Sequence, residues 1–416
     1  MAGDLHPLTD QQQTMLAFMG GTRDTFYLVI ESFVLRGEFS PDRFRQALDA
    51  VVRRHEVLRS VVVADSACYR VLPHETTTLD RLLEIRSDIH DVGDALHVGR
   101  EYAARPMELD REFPLRVWLA VLGPGQSVLV ICGHHLVFDG WSWRIFYGEL
   151  EQAYLDPDSL PPPEQYHETA VSGDVCDLTL DPELFRRPYR GVRELQARAT
   201  TPVGPAGSVQ VKRGPDLAAA LLRECGARAT TPYVLAVSSF LVSLGQAFGD
   251  PEVIVGTASA GRSTRAALRA LGYFSNTIFV GTGGGAPEDV LRGVLDQLRR
   301  WRMSPRVQWE KVLGEYGGQD LYPIRFTFER AGNTRPQARF ADVVTVPAGD
   351  ADDDGVARRP AVIGGAFDDA GVVLTASFRV DVVTGEWMRV LLERCLTVLA
   401  DLCTSTGRGR GYGHDV

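Results

Sequence analysis

Two adjacent histidines, then an acid and a glycine at a fixed interval, stand out for their chemistry: His134-His135-x-x-x-Asp139-Gly140. Imidazole gains or loses a proton near neutral pH, so a histidine in this setting suits general-base work or orientation of a nucleophile. The elements needed to position the group lie on either side. Val128 to Cys132 is an apolar run of β-formers, long enough for a buried strand and too short for a helix. From Trp141 to Tyr154, apolar residues at Ile145, Phe146, Leu150 and Tyr154 recur at helical spacing. Successive residues of a strand point to opposite faces, so His134 and His135 are not expected to share one metal ion. One should face a cavity and the other the packing. Asp139 lies at the mouth of the helix, where its carboxylate can cap free N–H groups or pair with a cation. Gly140 allows close backbone approach, and the helix N-terminus behind it offers N–H groups suited to a developing oxyanion. Taken alone, the same residues also fit a packed pair of core histidines and a helix cap.

The chain has 416 residues, enough for two domains or two large lobes. Its composition, 44% hydrophobic and 24% charged, is that of a globular protein, and a net charge of −10 argues against a nucleic-acid partner. No apolar run is long enough for a membrane span. The start, Met-Ala-Gly-Asp-Leu-His, has neither the basic nor the apolar region of a signal peptide. The cysteines, Cys68, Cys132, Cys176, Cys225, Cys395 and Cys403, are scattered without CxxC spacing, which fits reduced thiols, a cytoplasmic location and no zinc site.

In chain order, Thr9 or Asp10 caps a helix to about Phe18, and Thr25 to Leu35 reads as a strand. Ser40-Pro41 opens a helix that runs into Arg54-His55-Glu56-Val57-Leu58-Arg59. Ser60 to Ala64 and Ala67 to Leu72 form a hairpin around Asp65-Ser66. Arg116 is either a buried partner for a carboxylate or an edge-strand charge, with a structural role in both cases. A breaker cluster at 156–163 and a polar, poorly periodic stretch after it place the lobe boundary near 165–200. The resulting division is 1–165, a linker 166–200, a second lobe 201–406, and a flexible Gly/Arg tail 407–416. In the second half, Thr231-Pro232 starts a strongly apolar helix, and Glu252 to Arg262 is a strand ending in small residues and an arginine. Pro323 to Phe328 and Val372 to Val380 are strands, Ala348 to Gly355 is a solvated loop, and Thr384 to Leu402 is the last helix.

His134-His135-x-x-x-Asp139-Gly140 resembles the HHxxxDG motif of the condensation domains of nonribosomal peptide synthetases, in the chloramphenicol-acetyltransferase-like superfamily. Five further segments stand in family order. They are the Thr9–Gln opening, Arg54-His55-Glu56-x-Leu58-Arg59, Arg105-Pro-Met-Glu-Leu-Asp110 with Pro114-Leu-Arg116, the strand ending at Gly261-Arg262, and Gly272-Tyr-Phe-Ser-Asn276-Thr277. One segment departs: many relatives carry His-Gln-Asp near the end of the helix after Pro287, where this chain has Met303-Ser-Pro-Arg-Val-Gln-Trp309. The resemblance implies an α/β fold of two acyltransferase-like lobes in a V, with a tunnel at their junction. It implies acyl transfer from a carrier-protein phosphopantetheine thioester to an amine or alcohol, with no cofactor bound by the chain itself. Acyl or peptidyl carrier proteins are the implied partners, together with a small nucleophile or a second carrier-bound substrate. By resemblance, His135 acts on the nucleophile and the Gly140 N–H holds the oxyanion. His134 is structural, Asp139 pairs with Arg262, and Trp141, Ser142 and Asn276 are candidates for lining the site. A free-standing enzyme is expected from the opening motif lying so near Met1. The alternatives are a non-catalytic recruitment module of the same fold and an epimerisation-type relative, the latter suggested by Ser142-Trp143-Arg144.

Overall fold

The computed structural model describes residues 3–19, 21–24, 27–63, 66–75, 78–170, 184, 187–201, 203–303, 323–331, 339–341, 343–347, 356–357 and 359–404. Several expectations touch residues outside this set: the start of the strand at Thr25, the turn around Asp65, residues 171–183 of the linker with Cys176, the departing segment 303–309 beyond Met303, the loop 348–355 and the tail 407–416.

Two large sheets organise the described chain. The first contains β2 (Leu28–Arg36), β5 (Leu83–Arg86), β6 (Leu115–Gly123), β7 (Gln126–His134) and β12 (Val344–Pro347) in the order β12-β2-β7-β6-β5. All pairs are antiparallel except β5 with β6. β7 is central, and every residue from Ser127 to His134 is buried, which explains why its sequence is a continuous apolar run rather than an alternation. Helix α3 (Val92–Ala104) packs on β6 and β7. Its Gly99 has no room for a Cβ, which would stand 2.6 Å from the Trp118 ring and 2.8 Å from Val130. On the other side, α2 (Pro41–Arg54) lies against α4 (Gly140–Leu155). Ser40 caps α2 by accepting from the Arg43 N–H, with Pro41 in the first turn.

The second sheet has the order β10-β9-β11-β14-β15-β8-β13. Its members are β8 (Gly204–Arg213), β9 (Glu252–Ser259), β10 (Asn276–Gly283), β11 (Ile324–Arg330), β13 (Val356–Ala357), β14 (Ala361–Asp368) and β15 (Gly371–Arg379). β11 runs parallel to both neighbours, and the remaining pairs are antiparallel. Helices α7 (Pro215–Ala227), α8 (Pro232–Phe248), α9 (Pro287–Met303) and α10 (Gly385–Thr404) accompany it. α8 is buried along most of its length because it sits between α10 and the sheet. No single helix among the described residues is long and apolar enough to cross a membrane.

Several details differ from the sequence expectations. Residues before Thr9 form β1 (Asp4–Pro7), which pairs with β4 (Cys68–Val71), itself paired with β3 (Ser60–Val63). The stretch 166–200 is not a bare linker. It holds α5 (Tyr166–Ala170), with Tyr166 in the first apolar core, and α6 (Arg190–Arg198), with Val192 and Leu195 in the second. Nor are the halves separate in sequence. Residues 267–274, Phe340 and Val343 join the first core, and β12 extends the first sheet by pairing with β2. Finally, Arg116 is not an edge charge. β6 is flanked on both sides, and the buried guanidinium donates to Arg105 O at 2.6 Å, Pro106 O at 2.8 Å and Glu112 Oε2 at 2.5 Å.

Candidate active site

β7 ends at His134, and the chain turns through residues 135–139 before α4 begins at Gly140. The two histidines therefore part company by the strand ending between them, not by simple alternation. His134 is fully buried, and its Nδ1 accepts from the Leu136 N–H at 2.9 Å. His135 is half-buried. Its backbone N–H donates to Tyr27 O at 2.8 Å, and its Nδ1 lies 2.8 Å from Phe138 O. A carbonyl oxygen only accepts, so Nδ1 carries the proton and Nε2 keeps its lone pair. Nε2 has no hydrogen-bond partner among the described residues. Tyr27 and Tyr273 stand edge-on to the ring from opposite halves of the chain, each with its centroid 6.4 Å away.

Burial lowers the pKa of His135 to about 4; the bond to Phe138 O opposes this, the nearby charges of His134 and Arg325 add to it, and Asp139 opposes it. The imidazole is thus neutral, with Nε2 a free base, across the physiological range. The sign for stability follows from proton binding. Between pH 6.5 and about 4 the unfolded chain takes up a proton that native His135 refuses, so its contribution to stability falls as pH falls through that window. We predict that the acidic limb of a kcat/KM profile governed by this group lies near pH 4 rather than 6.5. A limb at 6.5 would show a solvated imidazole instead.

Asp139 is occupied on all sides. It caps α4 by accepting the Ser142 N–H at 2.7 Å. It accepts Arg262 Nη2 at 3.0 and 3.1 Å, and the Phe274 N–H at 3.0 Å. The carboxylate is 1% exposed and the guanidinium side chain 0%. Arg262 also donates to Ala270 O at 2.7 Å, Gly272 O at 3.1 Å, Ser142 Oγ at 2.8 Å and Ala267 O, and lies 4.1 Å over the Phe274 ring. Burial pulls its pKa down while Asp139 holds it up. Such a carboxylate has no free lone pair facing a substrate; it is built to shape and lock.

Ser142 and Trp141 complete a latch between the motif and residues 262–274. The Ser142 hydroxyl donates to Gly272 O at 2.5 Å and accepts from the Gly272 N–H at 3.0 Å, and the Trp141 indole donates to Leu268 O at 2.9 Å. Ser142 is fully buried, so its place is in the latch rather than in a site wall. Asn276 is buried at the first position of β10, opposite Ser259. Gly140 is exposed, and a Cβ there would meet nothing within 4 Å, so the N-terminus of α4 is open to an incoming group.

Supports missed by sequence reasoning come from distant segments. Gln12 Nε2 donates to Leu136 O at 2.8 Å from a buried position, bracing the turn that carries His135. The opening motif thus acts beyond starting a helix. His55, buried and 2.6 Å from Glu149 Oε2, ties the end of α2 to α4, so the charged helix end is an internal anchor rather than a solvated one. Arg325 and Glu329 lie on the half-buried face of β11, opposite Ile324, Phe326 and Phe328 of the second core. Burial raises the pKa of Glu329 and Arg144 opposes the rise, so this face comes within electrostatic reach of α4.

Gly272 supplies a direct test of the latch. A Cβ there would stand 2.0 Å from the Tyr166 ring, whose hydroxyl donates to Tyr273 O at 2.7 Å. Gly272→Ala should therefore cost about 1–3 kcal/mol by overpacking, measured by denaturant unfolding; an unchanged midpoint would show that Tyr166 yields freely.

An α/β fold built on two large sheets, with a histidine motif at the end of a central strand of one and an arginine latch from the other half of the chain, defines the class. Residues 3–173 match the family model described as Condensation domain. Among curated proteins, the isonitrile lipopeptide synthase of Mycobacterium tuberculosis (strain ATCC 25618 / H37Rv) is 27% identical over 90% of this chain and 16% of its own length. The chain spans only 4–16% of the length of this relative and the next three, so it corresponds to a small part of each. Among solved structures, the condensation domain from the monacolin K polyketide synthase MokA aligns with TM-score 0.69 and 16% identity, over 97% of this chain and 98% of that one. The X-domain from teicoplanin biosynthesis aligns with TM-score 0.73 and 17% identity, over 98% and 97%. Over residues 3–173 the chain is thus similar to condensation domains, and over nearly its whole length it shares their fold.

Proposed function

We propose that the chain transfers an acyl group from a carrier-protein phosphopantetheine thioester to an amine acceptor, forming an amide in natural-product biosynthesis. The observation that supports this most is the His135 imidazole, fixed through its Nδ1 bond to Phe138 O so that Nε2 is the nitrogen left with its lone pair. In the reaction the acceptor nitrogen attacks the thioester carbonyl carbon, its proton passing to His135 Nε2. The tetrahedral oxyanion meets the open N-terminus of α4 at the Gly140 N–H. The C–S bond then breaks, and the thiolate leaves with the proton returned by His135. A thioester is already activated, so positioning carries much of the rate: effective molarities reach about 10⁵–10⁸ M for well-oriented partners. Asp139 and Arg262 hold the motif against residues 262–274 and take no proton. An alcohol acceptor would react through the same groups and give an ester.

The test is reconstitution of the full chain with an acyl-loaded carrier protein and a panel of amines and alcohols, read by intact-protein and product mass spectrometry. Loss of the acyl group with a matching new amide supports the reading and identifies the nucleophile. Carrier binding with no transfer across the panel would replace it with a recruitment role.

A further inference from the structure

A second group of ligating side chains lies away from the histidine motif. His6 of β1, Glu56 at the turn after α2, and His167 of α5 come together from three separate stretches of chain. The two imidazoles stack with centroids 3.8 Å apart and planes at 22°, and His167 Nδ1 is 3.4 Å from Glu56 Oε2. One ligand atom from each residue falls within 4.8 Å of the others, and all three residues are half-buried. Nothing in the acyl-transfer chemistry uses them.

We propose that His6, His167 and Glu56 form a divalent-cation site of the zinc class that clamps α5 onto β1 and the Glu56 turn. Two imidazole nitrogens and one carboxylate oxygen are a borderline donor set suited to Zn²⁺, leaving a fourth position for water. With metal–ligand bonds of about 2.0–2.2 Å, tetrahedral ligand atoms lie about 3.4 Å apart. Closing from the present spacing takes a side-chain swing of about 1 Å and a rotation of the stacked rings so that their in-plane lone pairs converge on one point. Arg59, with Nη2 3.9 Å from Glu56 Oε1, is the one competing cation we find near the carboxylate among the described residues.

The site would reach the latch through one helix. Tyr166, adjacent to His167, donates to Tyr273 O and packs its ring against Gly272. Fixing α5 therefore stiffens the segment that presents Arg262 to Asp139.

The full chain, stripped with a chelator, is titrated with Zn²⁺ and with Co²⁺, alongside a His6→Gln/His167→Gln variant. At a metal concentration about 100-fold above Kd, the wild type should melt about 5 °C higher. It should bind one equivalent of Co²⁺ with the visible absorption of a four-coordinate N/O site. The variant should match the metal-free wild type in melting temperature and lose both effects. No shift in the wild type, the same shift in the variant, or a thiolate-to-cobalt charge-transfer band would each overturn the proposal, the last two by placing the metal elsewhere.

Discussion

Replacing His135 with alanine should lower kcat/KM for amide formation by about 10²–10⁴-fold and leave the fold in place. The imidazole is half-buried at a turn, and the hydrogen bond it gives up is the one from Nδ1 to Phe138 O. The loss should fall on kcat, since the Nε2 base acts on the nucleophile rather than on binding of the carrier. His134→Ala is the matching control with the opposite profile. That ring is fully buried and accepts the Leu136 N–H, so its removal should reduce stability and affect turnover only through misfolding. Single-turnover acyl transfer monitored by mass spectrometry, paired with thermal melts, separates the two. Full turnover by His135→Ala would remove the base from the mechanism and leave positioning alone.

Asp139→Ala should destabilise the protein by about 3–5 kcal/mol, the cost of removing one partner of a buried ion pair. The residual Arg262 would be a charged side chain with no exposure and no counter-ion, and the N–H groups of Ser142 and Phe274 would lose their acceptor. That corresponds to a fall in melting temperature of about 6–20 °C for a lobe of this size. Asp139→Asn should cost less, because an asparagine still caps α4 while the charge is lost. The hierarchy wild type, Asn, Ala in melting temperature is the signature of a structural pair. Equal melting temperatures for wild type and Asp139→Ala would show that the latch carries no stability.

Much of the local structure was legible along the chain. The apolar run at Val128 to Cys132, the helix after Gly140, and the caps at Ser40-Pro41 and Thr231-Pro232 follow from periodicity and N-terminal signals within a few residues. The order of motifs also pointed to the family, because its chemistry is written in short segments. The surroundings of His135 were not legible in the same way. Tyr27, Gln12, Tyr273 and Arg325 come to it from four separate parts of the chain, and no local period marks them. Asp139 and Arg262 are 123 positions apart, and resemblance alone suggested their pairing. The return of β12 to the first sheet was likewise invisible, since strand order depends on long-range pairing that leaves no spacing in the sequence. By itself the sequence determined the strand, the turn and the helix that carry the motif, because these depend on neighbours in the chain. Only the tertiary structure decided which histidine keeps a free nitrogen, what holds the carboxylate, and which parts of each half complete the other, because burial and hydrogen-bond partners are set by residues that meet only once the chain has folded.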